Sequence, residues 1–304
     1  MTEPFEPKLM TTDWNEEWKA MQAARKHPDD PAEWNARAKT FPTSHGPQST
    51  YVDRFLELAG IRPDETVFDM GCGTGALATP LAEAGHHVIA ADFSSGMLEK
   101  MRAEQDRRDI DPDLVRIVQM SWSDDWAAHG VADGCADVAV ASRSIATFDL
   151  KDSLLRLTRA ARRRVCITLP CSVSPRIDAR LLRAAGLQRR LGSDFVYAFN
   201  ILAAEGVAPE VAYIPSKRYE TFDTLEEAQD SLAGIVRSAA RSRVDASELD
   251  RACERVRAWV ADNLVENPRA GEVDHHGVEQ KRYRLRESRQ ITWAFLAWDA
   301  QALD

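Results

Sequence analysis

The run Val67-Phe68-Asp69-Met70-Gly71-Cys72-Gly73-Thr74-Gly75 constrains this chain more than any other stretch. An apolar strand ends beside an acid, glycine then recurs at every second position, and a helical pattern begins. Alternating glycines permit left-handed backbone and leave the amides of the turn open to close approach. Without a ligand such a turn only costs backbone entropy, so a bound small molecule is expected at Gly71, Gly73 and Gly75. The acid matters as much as the glycines. A pyrophosphate seated on the helix amino terminus would be repelled by Asp69, whereas an ammonium group would be attracted to it. The loop therefore suits a zwitterion better than a dinucleotide.

Around this turn, short β-rich runs at residues 66–70, 88–92, 115–120, 137–142 and 164–169 alternate with helical patterns at 75–84, 94–108 and 151–161. Nearly continuous apolar strands separated by helices imply a parallel sheet covered on both faces, an α/β doubly wound fold. Ligands then bind beyond the carboxyl ends of the strands. Ahead of the sheet, Asp13 with Glu16 reads as a helix cap, Pro31 as a first helical residue, and Val52, Phe55, Leu56 and Ala59 as one helix face. Beyond it, helices are expected at 175–185, 195–205 and 247–264, with Thr224 and Glu227 boxing the start of another. Strands are expected at 210–215 and 290–298, and a polar loop at 267–277. The expected organisation is an amino-terminal helical cap (1–60), a core (61–215), a helical insertion acting as a lid (216–279), and a final strand completing the core sheet (280–304).

Composition narrows the partners. A formal net charge of −9 over 304 residues would repel a phosphate backbone, so nucleic acid is not expected. No apolar run reaches the roughly eighteen residues a membrane span needs. The 5 cysteines form no CxxC pair, which argues against a disulfide framework or a zinc ribbon and for a reducing, cytoplasmic setting. His86-His87 reads as a surface turn and Asp274-His275-His276 as a polar loop; neither offers a full set of convergent metal ligands, so no metal is expected. The arginines 162–164 read as a solvated face at a helix end.

The second strand ends in Asp92, as expected of an acid that accepts bonds from two ribose hydroxyls, a feature that alone fits NAD too. Taken together, VFDMGCGTGALATPLA and ADFSSGMLEKM resemble the class I S-adenosylmethionine (SAM)-dependent methyltransferases. More narrowly they are similar to the type 11 branch, which includes ubiquinone and menaquinone biosynthesis enzymes. The resemblance implies a Rossmann-like seven-stranded sheet, mostly parallel with an antiparallel last strand. It implies SAM as cofactor. Asp69 and the backbone through Met70, Gly71, Cys72, Gly73 and Gly75 would hold its methionine part, Asp92 its ribose, and Phe93 and Met97 its adenine. Ser121 stands where the family has an adenine-binding Asp, with the Trp122 amide as the alternative contact, and Ser142 would lie under the sulfonium.

For the acceptor, Arg143 reads either as a fork for a carboxylate or phosphate or as a salt-bridge partner of Asp149 or Asp152. Phe41 or Tyr51 would occupy the place of a tyrosine that approaches the cofactor in relatives, and His45 lies in the same region. Trp14 and Trp18 share a helix face and are candidate substrate walls; the other tryptophans read as packing. No catalytic residue is named, because methyl transfer needs a base only when the nucleophile enters protonated. The leading reading is a methyltransferase acting on a small molecule. A non-catalytic SAM-binding assembly or regulatory protein stays open, and an NAD-linked oxidoreductase is disfavoured by Asp69 and the glycine spacing.

Overall fold

The structure is a computed structural model that describes residues 8–25, 31–38, 50–172, 175, 177–187, 193–240, 244–274 and 278–303. It opens with helices α1 (Lys8–Thr11), α2 (Trp14–Arg25), α3 (Pro31–Ala38) and α4 (Thr50–Ala59). Asp13 caps α2 as expected: its carboxylate accepts the backbone N–H groups of Asn15 at 3.1 Å and Glu16 at 3.0 Å. Tyr51, Val52, Phe55 and Ala59 form the buried face of α4, and Gly60 ends it in the left-handed region.

Alternation follows: β1 (Val67–Met70), α5 (Ala78–Glu83), β2 (Val88–Asp92), α6 (Ser95–Arg107), β3 (Val115–Gln119), β4 (Ala136–Ser142), α7 (Leu150–Ala160) and β5 (Ala161–Pro170). Then come α8 (Ala179–Ala184), α9 (Asp194–Ala204), β6 (Glu210–Arg218), β7 (Thr221–Phe222), α10 (Leu225–Ala240), α11 (Ala246–Asn263), β8 (Leu264–Glu266), β9 (Tyr283–Leu285) and β10 (Arg289–Asp299). Among the described residues no helix is long and apolar enough to cross a membrane.

Seven strands form one sheet in the order β3-β2-β1-β4-β5-β10-β6, mostly parallel with antiparallel pairing among the last strands, the doubly wound α/β architecture expected. β1 lies between β2 and β4, with Val67 opposite both Val88 and Val138. All four residues of β1 are buried, which explains its unbroken apolar run apart from Asp69. Strand order reverses between β1 and β4, so the connections diverge there and leave a crevice at the carboxyl ends.

The chain forms two compact units. The first comprises Met1–Leu169, Asp194–Ile214 and Ala294–Asp304; the second comprises Pro170–Ser193 and Pro215–Trp293. In the first, Phe55 of α4 is 0% exposed and meets Phe295 of β10 edge-on at 5.3 Å. Trp298 donates its indole N–H to Thr158 Oγ1 at 3.0 Å. Of the arginines 162–164, which follow α7, Arg162 is exposed and Arg163 and Arg164 are partly buried. They begin β5, where Arg162 pairs with Asp137 at 2.8 Å, Arg163 with Glu65 at 2.5 Å and Arg164 with Glu210 at 2.9 Å, because acids on neighbouring segments face them.

The second unit has its own core of Leu181, Phe222, Leu232, Val236, Val256 and Leu285, among others. Thr224 Oγ1 accepts the Glu227 N–H at 3.0 Å, capping α10 as its sequence implies. A small antiparallel sheet, β7-β9-β8, flanks these helices and was not anticipated. Leu181 and Ala185, which follow β5, belong to this unit, while β10 completes the seven-stranded sheet as its apolar run implies. Leu181, Ala185 and Leu285 bury themselves among α10 and α11, and sequence periodicity carries no record of that choice.

Phe55→Ala is expected to destabilise the protein by about 3–5 kcal/mol, since it empties a fully enclosed aromatic site. Chemical denaturation of the purified chain measures this, and a loss below about 1 kcal/mol would mean that α4 is not anchored through Phe55.

Candidate active site

Gly71, Gly73 and Gly75 have φ of +76°, +56° and +84°, so the turn from β1 to α5 is left-handed at each. Their surroundings differ. A Cβ on Gly71 would lie 2.3 Å from Ser144 Cβ, and one on Gly75 would lie 2.7 Å from both Met101 Cγ and Thr79 Oγ1. Among the described residues, a Cβ on Gly73 would meet nothing within 4 Å. The outer glycines are thus imposed by packing, and the middle one presents bare backbone to open space. The turn is pinned to the neighbouring strand, because the Gly71 and Cys72 N–H groups both donate to the Ala91 carbonyl, at 2.7 and 3.0 Å.

Two carboxylates underlie this turn. Asp69 is 2% exposed, and its pKa is pushed up to about 7 by burial first and by the Asp92 charge second, against one opposing bond from the Ala78 amide. Among the described residues, none of the groups that set it is a cation. Asp92 accepts the Gly73 N–H at 2.9 Å and the Ser94 N–H at 2.9 Å, so the acid at the end of β2 holds the glycine turn and the start of α6 together. Burial and the two acids push the Cys72 thiol well up, which keeps it neutral. A pair of buried acids beside bare backbone fits a cationic, zwitterionic ligand such as SAM and opposes a pyrophosphate.

Helix α3 adds a residue that sequence reasoning missed. Asn35 Oδ1 accepts from Ser94 Oγ at 2.7 Å and from the Gly96 N–H at 3.2 Å, so an asparagine far away in sequence fixes the cap of α6. Ser94 Oγ also accepts the Met97 N–H at 3.3 Å. Phe93 precedes this cap, and its carbonyl receives Gln119 Nε2 at 3.4 Å. After β3, the Ser121 N–H donates to Asp124 Oδ2 at 2.8 Å, so the acid of this turn sits three residues after Ser121. The Trp122 ring leans on Trp126 at 5.6 Å, and Trp126 meets Phe68 edge-on at 5.4 Å.

The end of β4 faces the same crevice. Ser144 Oγ donates to the Met70 carbonyl at 2.7 Å, and Ser144 is the residue that leaves no room for a side chain at Gly71. Tyr51 OH bonds Ser142 Oγ at 2.8 Å and Thr168 Oγ1 at 2.7 Å. The Arg143 guanidinium carbon stands 4.1 Å from the centre of the Tyr51 ring. The alternative salt bridges are taken elsewhere: Asp149 pairs with Lys19 at 2.8 Å and Asp152 with Arg156 at 2.7 Å.

The other acceptor-side expectations divide. Trp18 is 0% exposed and donates its indole N–H to the Thr147 carbonyl at 2.8 Å, so it packs α2 down rather than forming a substrate wall. Trp14 remains half-buried, 6.2 Å edge-on from Tyr197. Phe41 and His45 lie outside the described residues.

Comparison with known proteins finds a match to the family "Methyltransferase domain" over residues 67–165. An uncharacterized protein of Haemophilus influenzae is 32% identical over 62% of this chain and 68% of its own length. The demethylmenaquinone methyltransferase of Beutenbergia cavernae is 32% identical over 36% of this chain and 43% of its own. Among solved structures, the SAH-bound magnesium protoporphyrin IX methyltransferase of Synechocystis is 19% identical, with a TM-score of 0.42 over 54% of this chain and 74% of that one.

The glycine environments separate packing from binding. Gly71→Ala should lower Tm clearly, because both φ and the Ser144 contact oppose it. Gly73→Ala should cost only the left-handed strain, about 1–2 kcal/mol, yet abolish SAM binding. Thermal melts with and without SAM test the pair; equal melting losses, or unaltered SAM binding by Gly73→Ala, would contradict this division.

Proposed function

We propose that the chain, which matches the methyltransferase domain family over residues 67–165, is a class I SAM-dependent methyltransferase that methylates a small organic acceptor at the carboxyl ends of β4 and β5. The observation that carries this reading is the bare Gly73 backbone over the buried Asp69–Asp92 pair, with Ser142, Arg143 and Ser144 beside it. SAM supplies an electrophilic methyl group on a sulfonium. Asp69 and the amides between Met70 and Gly75 bind the methionine part, Asp69 supplying the negative charge for the ammonium. Asp92 takes the ribose hydroxyls, and Phe93, Met97 and the Ser121–Trp122 turn border the adenine. Ser142, held by Tyr51, lines the acceptor side with Trp14 and Arg143. These groups align an in-line displacement and exclude water. The similarity to demethylmenaquinone methyltransferases supports a small organic acceptor. A reducing, cytoplasmic setting and a small molecule rather than nucleic acid belong to the same proposal, supported by five free cysteine thiols and the net charge of −9.

A thermal-shift comparison tests the cofactor. SAM and SAH at about a hundred times their dissociation constants should each add about 2.7 kcal/mol of stability. A shift with NAD and none with SAM would overturn the reading. Asp69→Ala and Asp92→Ala should each weaken SAM binding by about 1.5–3 kcal/mol, the range for a charge-assisted contact.

Asp69 also sets a pH dependence. Its carboxylate takes up a proton as pH falls through about 7, against an ordinary 3.8. Because the folded form holds that proton and the unfolded chain does not, the ligand-free protein should lose stability as pH rises from about 4 to about 7 and change little above. Ligand affinity runs the opposite way. SAM and SAH should bind roughly tenfold more weakly for each pH unit below about 7, whereas 5′-methylthioadenosine, which lacks the ammonium, should not. Titration calorimetry across pH distinguishes them, and parallel profiles for all three ligands would remove Asp69 as the ammonium partner.

A further inference from the structure

Arg143 adopts φ +61°, a left-handed conformation that L-residues other than glycine seldom take. Such strain persists only where the surroundings hold it, and it concentrates at ligand-binding positions. Here the hold is specific. The Arg143 N–H donates to Thr168 Oγ1 at 3.1 Å, and Thr168 Oγ1 is bonded in turn to Tyr51 OH at 2.7 Å. The same tyrosine bonds Ser142 Oγ at 2.8 Å and presents its ring 4.1 Å from the guanidinium carbon. One tyrosine therefore fixes both the backbone and the head group of Arg143. The next residue, Ser144, bonds the Met70 carbonyl and abuts Gly71, which sets this exposed guanidinium beside the turn assigned to the methionine part of the cofactor.

Resting on the methyltransferase reading, we propose that the methyl acceptor is an anion, bound through a carboxylate or a phosphate monoester by Arg143, with Tyr51 as its positioning residue. A planar guanidinium stacked on a ring presents its N–H groups as a fork that matches paired oxygens. Carboxylate and phosphate share that geometry. An anionic acceptor would also offset the sulfonium charge at the same end of the crevice. Glycine at position 143 would relieve the backbone but supply no cation for an anionic acceptor.

The test uses the full chain. SAH affinity is measured first, by calorimetry, for the parent, Arg143→Gln and Arg143→Gly. Benzoate, hexanoate and phenyl phosphate are then titrated into each SAH-saturated protein by NMR, with benzamide, hexanamide and phenol as neutral counterparts. The parent should bind at least one anion about tenfold more tightly than its counterpart, the carboxylate and phosphate arms showing which group is read. Both variants should lose this preference while keeping the SAH affinity of the parent, and Arg143→Gly should melt no lower than the parent. Tyr51→Leu should lose the preference and Tyr51→Phe, which retains the ring, should keep most of it. An anionic preference absent in the parent, or surviving in Arg143→Gln, overturns the proposal; a weakened SAH affinity in both variants reassigns Arg143 to the cofactor and overturns it too. A parent that binds no SAH overturns the methyltransferase reading itself.

Discussion

Two carboxylates buried on adjacent parallel strands set the terms for this site. β1 carries Asp69 within a fully buried run, and β2 ends in Asp92 at its side. Burying an anion is costly unless hydrogen bonds or a counter-charge offset it. Asp92 receives the Gly73 and Ser94 amides, while Asp69 receives the Ala78 amide and is still pushed up to about 7. The remaining negative character is what a cationic cofactor can satisfy. The same bonds shape the surroundings: Asp92 draws the glycine turn toward β2, Ser94 starts α6, and Asn35 ties α3 to that start.

The reversal of strand order then brings the end of β4 against this turn. Ser144 fills the space beside Gly71 and bonds Met70, so the glycine turn and the end of β4 form one wall. Tyr51 of α4 closes that wall by bonding across the ends of β4 and β5.

Much of this was legible in the sequence, for identifiable reasons. The strands of the parallel sheet are buried on both faces, so they stand out as apolar runs; β2 coincides with residues 88–92 as expected. Caps announce themselves through short-range chemistry, as at Asp13 and Thr224. β5 shows where this stops. Its second to fourth residues are arginines paired with Asp137, Glu65 and Glu210, acids that no local pattern connects to them. Trp18 likewise shares a helix face with Trp14, but only packing decides that Trp18 is enclosed while Trp14 is half-buried.

The sequence by itself determined the alternating strands and helices, the left-handed glycine turn and the acids that end two strands. Each is a local property: a period, a backbone permission, or a residue at a strand terminus. Tertiary structure alone decided that Asn35 holds the start of α6, that Ser144 makes Gly71 obligatory, that Tyr51 supports Arg143, and that Leu181 and Ala185 pack with α10 and α11. These pairings join segments tens of residues apart. Their partners are chosen by which surfaces meet once the sheet is wound, and that is a property of the whole fold rather than of any stretch of it.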